Sequence, residues 1–416
     1  MARESVTLLE DKRIVLGVTG SIAVYKAVDL ASKLTQAGAL VDVVMTASAK
    51  RFVTPLTFQS VTGRPVYDEL WESGSSELPT HIAHVGLGEG ADLFVVAPAT
   101  ANTLAKLAAG SADDLLTVTA LAARCPVLVA PAMDGGMYGH PATQRNLREL
   151  QAQGVFLIEP EEGRFASGLI GKGRLPGTAT LLGMIRWTLS RHGPLAGRKV
   201  VVAAGGTREA IDPVRYITNR SSGKQGYAVA QAAVDAGADV VLVTTTTQLP
   251  APIGATIVPV ASAGDMLEAV QTHITNTDVL IMAAAVADFR PVEIATQKIK
   301  KSLDSNDVPT IELSRTSDIL LAIKEQREES GWPRVTVGFA AESHDLLDNA
   351  RSKLDRKGLD LIVANDIMST DAGFETDTNR VVLLNRSGDQ QEIELASKAR
   401  IAEAVVGRVA GLLSVE

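Results

Sequence analysis

The sequence predicts an α/β protein built from two doubly wound, mainly parallel sheets. Strand-length apolar runs alternate with helix-length segments, as they do where each strand is followed by a crossover helix. The plan of residues 13–46, a strand, a turn with glycine, a helix and a second strand, recurs in residues 198–247. With 416 residues, the chain is long enough for two or three domains. Only 4% of the residues are aromatic, which is typical of sheets packed between helices by small aliphatic side chains.

The first copy of this plan begins with an apolar strand from Ile14 to Val18. A helix is predicted from Ile22 to Gln36, because apolar residues recur there at helical spacing, and Gly38 closes it as a left-handed cap. A second strand follows from Val41 to Met45, and a further buried strand is predicted from Pro126 to Ala130.

The second copy begins with a strand from Val200 to Ala204. Its helix is predicted from Tyr227 to Ala236, with Gly237 as the cap, and another strand follows. The similarity between the copies extends further, since the Asp92 strand of the first matches the Asp278 strand of the second. Residues 192–197, punctuated by Gly and Pro, lie between the copies. We therefore expect one domain over residues 1–191 and another over residues 192–416.

Two segments are too loose or too long for core elements. Residues 163–177 contain five glycines and are predicted to form a mobile lid. Residues 205–226 connect a strand to a helix, where most connections have only about 2–6 residues. Parallel sheets place ligand sites at this edge, so we expect the long connection to contribute to a site, with an anion near Ser222, Gly223 and Lys224.

Composition and charge limit the classes of function. The formal net charge of −8 argues against a nucleic-acid binder that depends on phosphate contacts. The single cysteine, Cys125, allows no intrachain disulfide and fits a reducing compartment. Residues 1–13 lack the apolar core of a secretory signal, and no apolar run reaches the roughly 20 residues that span a bilayer. We therefore expect a cytoplasmic protein that associates with neither membranes nor nucleic acid.

Several residues of the first domain are candidates for chemistry, each with a simpler alternative. The turn after the first strand, ending at Ser21, could hold a phosphate or be a plain turn. Thr100 could bond a ligand or simply cap a helix. His81 and His84 precede the Asp92 strand; a histidine is the natural base near neutral pH, but surface histidines are common.

Four segments of this domain resemble motifs of the flavin-dependent cysteine decarboxylases. They read Gly-Val-Thr-Gly-Ser-Ile-Ala at 17–23, Pro-Ala-Thr-Ala-Asn-Thr at 98–103, Pro-Ala-Met-Asp-Gly-Gly-Met-Tyr at 131–138 and Gly-Lys-Gly-Arg-Leu at 171–175. The family's base stands eight residues before the aspartate of an Ala-Asp-Leu strand, and His84 has this spacing whereas His81 does not. The resemblance further implies FMN near Gly20, Ser21, Thr46, Thr100 and Asn102, and substrate contacts from Asp134, Met137 and Arg174.

The implied reaction removes a carboxylate β to a thiol. By this resemblance FMN takes a hydride from the carbon bearing sulfur, His84 takes the thiol proton, CO2 leaves, and a hydride and a proton are then returned. Two positions depart from the family pattern: Asp134 replaces an asparagine, and Ser167 replaces a lid cysteine that acts as proton donor. Ser167 takes the place of the donor, but serine is a much weaker acid than cysteine, so the identity of the donor stays open.

The second domain resembles the phosphopantothenate–cysteine ligases over nearly all of residues 195–416. The matching segments are residues 212–224, Ala-Ala-Val-Ala-Asp at 284–288, Lys-Ile-Lys-Lys at 298–301, Gly-Phe-Ala-Ala-Glu at 338–342 and Leu-Asp-Leu-Ile-Val-Ala-Asn-Asp at 359–366. Together the two domains resemble the bifunctional bacterial coenzyme A biosynthesis enzymes, with Rossmann-like folds, a flavoprotein-type N-terminal domain and a nucleotide-binding C-terminal domain.

The ligase resemblance implies an acyl-cytidylate pathway. The substrates would be 4′-phosphopantothenate, cysteine and CTP, with Mg2+ held mainly by the CTP phosphates. Asn219 would contact the acyl-cytidylate, and Lys298 would supply the catalytic charge. The implied CTP contacts are Ala283, Ala284, Asp288, Lys298, Ser317, Asp318, Ile319, Leu320, Phe339, Lys353 and Lys357.

Two other functions remain open at this stage. Asp134 and Ser167 motivate an active ligase whose flavin domain is only a degenerate scaffold. A nonenzymatic regulatory flavoprotein would show no CTP-dependent release of pyrophosphate. The resemblance also implies a homo-oligomer, in which neighbouring subunits complete sites at the strand ends.

Overall fold

The computed structural model of the protein describes residues 6–71, 78, 80–300, 310–342, 346–366 and 376–414. The chain divides into two compact units, Met1–Leu189 and Ser190–Glu416. Each unit contains one large, mainly parallel sheet with helices between its strands. This is the α/β architecture that the alternation of strands and helices predicts.

The first unit has a six-stranded parallel sheet in the order β3-β2-β1-β4-β5-β6. Its strands are β1 (Arg13–Val18), β2 (Leu40–Met45), β3 (Val66–Tyr67), β4 (Leu93–Ala99), β5 (Val127–Pro131) and β6 (Phe156–Leu157). A separate antiparallel hairpin consists of β7 (Glu161–Arg164) and β8 (Ile170–Arg174). The helices are α1 (Val24–Gln36), α2 (Pro55–Thr62), α3 (Ala83–Gly90), α4 (Ala101–Ala109), α5 (Leu115–Ala122), α6 (Gly135–Gly139), α7 (Pro141–Ala152) and α8 (Thr178–Leu189).

The sheet of the first unit is buried on both faces. Because successive side chains of a strand point to opposite sides, each strand contributes to two separate clusters. In β1, Leu16 joins one hydrophobic cluster with Leu30 and Leu181 from helices α1 and α8. Its neighbour Val15 joins a different cluster with Leu87 from α3. The continuous apolar run of the strand is therefore explained by two cores rather than one.

The second unit has an eight-stranded sheet in the order β13-β12-β9-β14-β17-β18-β19-β20, in which only the β18–β19 and β19–β20 pairs are antiparallel. These strands are β9 (Lys199–Ala204), β12 (Asp239–Thr244), β13 (Ala255–Pro259), β14 (Val279–Met282), β17 (Val335–Glu342), β18 (Leu361–Asp366), β19 (Thr378–Asn385) and β20 (Gln390–Ser397). Two small hairpins pair β10 (Arg208–Ala210) with β11 (Tyr216–Thr218), and β15 (Phe289–Pro291) with β16 (Leu313–Arg315). The helices are α9 (Lys224–Asp235), α10 (Ala263–His273), α11 (Ile319–Ser330), α12 (Leu346–Arg356) and α13 (Lys398–Ser414).

The similarity between the two copies reaches individual hydrogen bonds. Asp92, which precedes β4, accepts from the backbone N–H of Arg13 at 2.9 Å and from Lys12 Nζ at 2.9 Å. Asp278, which precedes β14, accepts from the N–H of Lys199 at 2.9 Å and from the guanidinium of the preceding arginine at 2.9 Å. In each unit one carboxylate thus fixes the start of a strand against its neighbour.

Two predicted loops are more regular than their composition suggests. The glycine-rich segment 163–177 contains most of the β7–β8 hairpin, so it is a paired element rather than a loose segment, and its motion as a lid stays a prediction. The connection 205–226 contains the β10–β11 hairpin and shortens at its end, because α9 begins at Lys224 rather than at Tyr227. Among the described residues, no helix combines the length and apolar character needed to cross a membrane.

Candidate active sites

In the first unit, Thr19 joins the loops that follow two neighbouring strands. Its side chain is buried, and its Oγ1 donates to the carbonyl of Pro98 at 2.6 Å and accepts from the N–H of Thr100 at 3.1 Å. The loops after β1 and β4 are therefore held together at the carboxyl edge of the sheet, where parallel sheets bind ligands. Sequence reasoning did not single out Thr19, although it lies inside the Gly-Val-Thr-Gly-Ser segment.

The residues predicted for FMN lie on the loops of this same edge. A Cβ at Gly20 would stand 2.5 Å from the Cβ of Ser48, so only glycine lets the β1 and β2 loops approach this closely. Ser21 Oγ accepts from the N–H of Ala23 at 3.3 Å, and Thr46 Oγ1 accepts from the N–H of Ala49 at 3.3 Å.

Thr100 and Asn102 belong to the start of α4. Thr100 is the N-cap, with its Oγ1 accepting from the N–H of Thr103 at 3.3 Å, and Asn102 is exposed in the first turn. Hydroxyl groups, an amide and two helix N-termini suit a phosphate and a hydroxyl-rich chain. The donor set of this edge therefore fits FMN chemically.

A cavity of about 380 Å³ lies beside the β7–β8 hairpin. Ser21, Asp134, Ser167 and Arg174 all line it, together with Lys26. The chain brings these residues together from α1, the end of β5 and the hairpin, so their proximity is invisible in the sequence.

Ser167 and Asp134 are joined directly across this cavity. The Ser167 hydroxyl donates to Asp134 Oδ2 at 3.0 Å. The other carboxylate oxygen of Asp134 caps α6 by accepting from the N–H of Gly136 at 3.1 Å. The two residues that depart from the decarboxylase pattern therefore form one hydrogen-bonded pair.

The backbone of the hairpin fixes the position of Ser167. The turn closes through Phe165 N–H to the carbonyl of Leu169 at 2.8 Å, with Gly168 at a φ of 89°. The base of the hairpin is attached to the segment before α6, because the N–H of Met133 donates to the carbonyl of Gly173 at 3.0 Å. Both ends of the hydrogen-bonded pair are thus held by backbone contacts.

Lys26 is a cavity residue that sequence reasoning missed. Its Nζ donates to the carbonyl of Leu175 at 2.5 Å, and burial lowers the pKa of this ammonium. Its place on α1 gave no signal, because a lysine on an amphipathic helix usually points to solvent.

His84 lies elsewhere in the first unit. It is half-buried in the first turn of α3, whereas His81 is exposed before that helix. Six of the predicted site residues are not among the described residues that line the cavity: His84, Gly20, Thr46, Thr100, Asn102 and Met137. The cavity therefore brings together Ser167 and two of the three predicted substrate residues, Asp134 and Arg174, and the roles of His84 and Met137 stay predictions.

The second unit has a larger cavity, of about 780 Å³, at the carboxyl edge of its sheet. Asn219 lines it, as do ten of the eleven residues predicted to contact CTP; these ten are Ala283, Ala284, Asp288, Ser317, Asp318, Ile319, Leu320, Phe339, Lys353 and Lys357. Its described lining has six cationic side chains and two acidic ones, in a chain whose net charge is −8. The cavity is thus locally basic, as a polyphosphate requires.

One wall of this cavity is fixed by hydrogen bonds between the loops after β9 and β14. Thr207, fully buried, accepts from the N–H of Ala287 at 2.9 Å. Asn219 Nδ2 donates to the carbonyl of Val286 at 2.9 Å, and Thr316 Oγ1 donates to the carbonyl of Ala287 at 2.6 Å. The amide of Asn219 is therefore held at the cavity surface by the small-residue segment that follows β14.

The opposite wall carries paired charges. Asp318 caps α11 by accepting from the N–H of Leu321 at 3.4 Å, and Lys357 Nζ lies 3.2 Å from its Oδ2. Lys353 stands one helical turn before Lys357, whose N–H donates to the Lys353 carbonyl at 3.0 Å. Both lysines therefore face the cavity from the end of α12, as their spacing of four predicts.

Lys298 is exposed, and it is not among the described residues that line the cavity. The adjacent Ile299 is attached to the 205–226 connection, because its N–H donates to Asp212 Oδ2 at 3.1 Å and its carbonyl accepts from Arg215 Nη2 at 2.8 Å. Hydrogen bonds from Arg215 hold the pKa of Asp212 well below its usual range. Asp212 therefore anchors the segment that carries Lys298; Lys301 lies outside the described residues.

Lys398 is another cavity residue that sequence reasoning missed. It is only 6% exposed, at the start of α13, and burial lowers the pKa of its ammonium. Lys224 approaches from the start of α9 and pairs with Asp377 Oδ1 at 2.6 Å, which lowers the pKa of that carboxyl. Sequence spacing alone does not reveal this corner of the cavity, because 174 positions separate Lys224 from Lys398.

Comparison with known proteins matches both units. Residues 195–413 match the family described as DNA/pantothenate metabolism flavoprotein C-terminal domain, and residues 2–190 match the family described as Flavoprotein. The chain is 46% identical over 408 residues to the coenzyme A biosynthesis bifunctional protein CoaBC of Bacillus subtilis, which covers 97% of this chain and 98% of that protein. The chain belongs to the coenzyme A biosynthesis bifunctional protein family.

Two further matches belong to the same family. The coenzyme A biosynthesis bifunctional protein CoaBC of Mycobacterium tuberculosis H37Rv is 47% identical over 418 residues, covering 97% of this chain and 98% of that protein. A crystal structure of the C-terminal domain of a coenzyme A biosynthesis bifunctional protein CoaBC is 38% identical, covers 54% of this chain and 100% of that one, and has a TM-score of 0.46.

The described residues contain no group of three or more His, Cys, Asp or Glu side chains that could hold a metal ion.

Proposed function

We propose that this member of the family catalyses two consecutive steps of coenzyme A biosynthesis. Residues 192–416 join 4′-phosphopantothenate to cysteine at the expense of CTP. Residues 1–191 then decarboxylate 4′-phosphopantothenoylcysteine to 4′-phosphopantetheine with FMN. The protein is thus both a carboxy-lyase and a ligase that joins an acid to an amino acid.

The observation that carries this proposal is the basic cavity of the second unit. Six cationic side chains against two acidic ones suit a bound triphosphate, and the small side chains of Ala283 and Ala284 let a flat ring approach the backbone. Family membership over 97% of the chain supports both activities together.

The ligase reaction follows from charge placement around this cavity. The substrate carboxylate attacks the α-phosphate of CTP and pyrophosphate leaves; the amine of cysteine then attacks the acyl carbon and CMP leaves. Lys353 and Lys357 offset the charge of the phosphates, and Lys298 supplies a positive charge to the transition state when its segment lies over the cavity. Asn219, fixed by Val286, donates to the acyl-cytidylate. Mg2+, which the CTP phosphates would mainly hold, would lower the repulsion between the two anions.

The decarboxylase reaction uses the carboxyl edge of the first unit. Gly20, Ser21, Thr46, Thr100 and Asn102 would hold FMN by its phosphate and ribityl chain, and FMN would supply a reversible acceptor of two electrons. His84 removes the thiol proton of the substrate. Residues that include Asp134, Met137 and Arg174 orient the substrate under the hairpin, where Arg174 is suited to its carboxylate or phosphate.

The ligase half is tested by CTP-dependent pyrophosphate release with 4′-phosphopantothenate and cysteine. We expect Lys298→Ala to lower kcat by more than about 100-fold, because a charge that serves the transition state raises kcat, while the unfolding temperature stays unchanged. Lys300→Ala, an exposed lysine of the same segment, is the matched control and should retain activity. Equal loss in both variants, or loss of folding in Lys298→Ala, would contradict the assigned role.

The decarboxylase half is tested by CO2 release from 4′-phosphopantothenoylcysteine. We expect His84→Asn to abolish CO2 release and to leave pyrophosphate release intact, since the two activities belong to separate domains. His81→Asn is the control and should retain both activities. Flavin-bound wild-type protein that releases no CO2 would instead identify the first domain as a scaffold for an active ligase.

We also propose a cytoplasmic homo-oligomer. Ile22 and Tyr25 are more than half exposed beside the first cavity, and Leu169 and Ile170 are exposed at the tip of the hairpin. Large exposed apolar side chains concentrated at a site favour its completion by another subunit. Light scattering of the purified protein measures the oligomeric state, and a monomer at micromolar concentration would contradict this part of the proposal.

A further inference from the structure

The hydrogen bond between Ser167 and Asp134 has a chemical consequence for decarboxylation. After CO2 departs, the carbon that lost it must gain a proton before the product is a saturated thiol. A cysteine thiol, with a pKa of about 8.5, is acidic enough to supply this proton near neutral pH. A serine hydroxyl is not acidic enough by itself, yet Ser167 occupies the hairpin tip over the cavity.

Asp134 is the carboxyl group placed to relay a proton to this hydroxyl. Its Oδ2 accepts from the Ser167 hydroxyl at 3.0 Å, and the backbone at both residues is fixed by the hairpin turn and by the N-cap of α6. Water can reach the pair, since Asp134 is only half-buried and Ser167 is exposed. Arg164 and Arg174, which also line the cavity, are too weakly acidic to replace it, and the ammonium of Lys26 donates to the carbonyl of Leu175 instead.

We propose that Asp134 supplies the proton of the reductive step through the Ser167 hydroxyl; this rests on the proposed decarboxylase function. Asp134, which accepts from Ser167 in the structure, first takes up a proton from water and then donates it to Ser167 Oγ while the Ser167 hydroxyl proton passes to the substrate carbon. In this transfer one C–H and one O–H bond form as two O–H bonds break, and Asp134 returns to the carboxylate. Ser167 is the catalytic residue that meets the substrate, and Asp134 acts through it.

The simpler explanation is that Asp134 only holds the hairpin in place. The two explanations differ in which half of the reaction they affect. Loss of a purely structural contact disturbs substrate binding, so it slows CO2 release and product reduction alike. Loss of a proton source leaves CO2 release almost intact and slows the reductive step, because general acids contribute about 10²–10⁴-fold to a rate.

The test is an anaerobic single turnover of the flavin-loaded protein, with CO2 and product measured in the same sample. Asp134→Asn keeps the size of the side chain and restores the asparagine of the decarboxylase pattern, so it should still orient the substrate. We expect it to release one equivalent of CO2 per flavin within about 3-fold of the wild-type rate. Its reductive step should slow by at least about 100-fold. The accumulated product should contain two fewer hydrogen atoms by mass, and the flavin absorbance should stay bleached. Glu162→Gln, an exposed carboxylate of the same hairpin, is the control and should change neither step.

The double variant Asp134→Asn/Ser167→Cys provides the sharpest outcome. A thiol is its own acid, so reduction should return to within about 10-fold of the wild-type rate although Asp134 is missing. If the double variant is as slow as Asp134→Asn, or if Asp134→Asn reduces its product normally, the proposal is wrong. If Asp134→Asn slows CO2 release as much as it slows reduction, Asp134 has only a structural role and the proposal is wrong.

A measurement without flavin tests the pair independently of turnover. The infrared carboxylate band that Asp134→Asn removes should shift in Ser167→Ala and stay in place in Ser167→Thr, which keeps the hydroxyl. No shift in Ser167→Ala would exclude the hydrogen bond on which the proton path depends. Failure of the proposed function is distinguishable from all these outcomes, because wild-type protein would then release no CO2.

Discussion

Gly226 is the position at which one added methyl group should destabilise the second unit. It lies in the first turn of α9, where a Cβ would stand 3.0 Å from the Cα of Ala204 and closer still to its Cβ. Ala204 ends β9, the strand between β12 and β14, and cannot move without disturbing both neighbours. Gly226→Ala therefore forces α9 away from the sheet, at a cost of about 1–3 kcal/mol.

This loss of folding free energy predicts a measurable decrease in the unfolding midpoint. For a unit of this size, each kcal/mol shifts the unfolding midpoint by roughly 2–4 °C, so Gly226→Ala should lower it by about 2–12 °C. Calorimetry of the full chain measures this shift, and the relevant transition is the one that CTP raises, because a ligand stabilises the unit that binds it.

The same substitution elsewhere should have the opposite sign. Gly407 and Gly411 are exposed within α13, and a Cβ at either would meet nothing within 4 Å. Glycine costs a helix about 0.5–1 kcal/mol relative to alanine, so each substitution should raise the midpoint by about 1–4 °C. A Gly226→Ala variant as stable as these two would show that contact with Ala204 does not limit the packing of α9.

Three further predictions concern charge and burial. Asp42 is fully buried in β2, 2.8 Å from the guanidinium of Arg64, so Asp42→Ala should destabilise the first unit by about 3–5 kcal/mol in urea unfolding. Burial raises the pKa of the Cys125 thiol to about 11, so alkylation at pH 8 should be roughly 100-fold slower than for an exposed cysteine. Arg215 lowers the pKa of Asp212, so this pair stabilises the fold above about pH 3.9 and loses its effect as the pH falls through the lowered pKa. Asp212→Asn should accordingly be less stable than wild type at pH 7, and the difference in unfolding midpoint should narrow below about pH 3.9.

The sequence predicts the two sheets well because their signals are local. The strands near Ile14 and Val200 are continuous apolar runs, and Gly38 and Gly237 end their helices at φ values of 102° and 90°, as left-handed caps require. The hairpin before the last helix is likewise marked by Gly388, at a φ of 90°. Each feature depends only on residues close together in the chain.

The candidate sites were predicted only in part, since their geometry depends on distant residues. Asp134 and Ser167 were each singled out, but their hydrogen bond crosses 33 positions and follows from the β7–β8 pairing. That pairing was missed because glycine usually weakens strands. Lys26 and Lys398 were missed because their burial is a property of the tertiary structure, and lysine is rarely buried.

The two units show how one scaffold can support two chemistries. At the start of the sheet, Asp92 and Asp278 make equivalent contacts, and at its carboxyl edge Thr19 and Thr207 each tie the loop after one strand to the loop after the next. The scaffold is therefore fixed by the same hydrogen bonds in both copies. The loops beyond these threonines differ in length and charge. The short first loop presents hydroxyl groups and amides, whereas the long connection 205–226 forms one wall of a basic cavity, to which it contributes Asn219. Because the threonine contacts hold the strand ends together whichever loop follows, these loops are free to differ in substrate chemistry without altering the sheet beneath them.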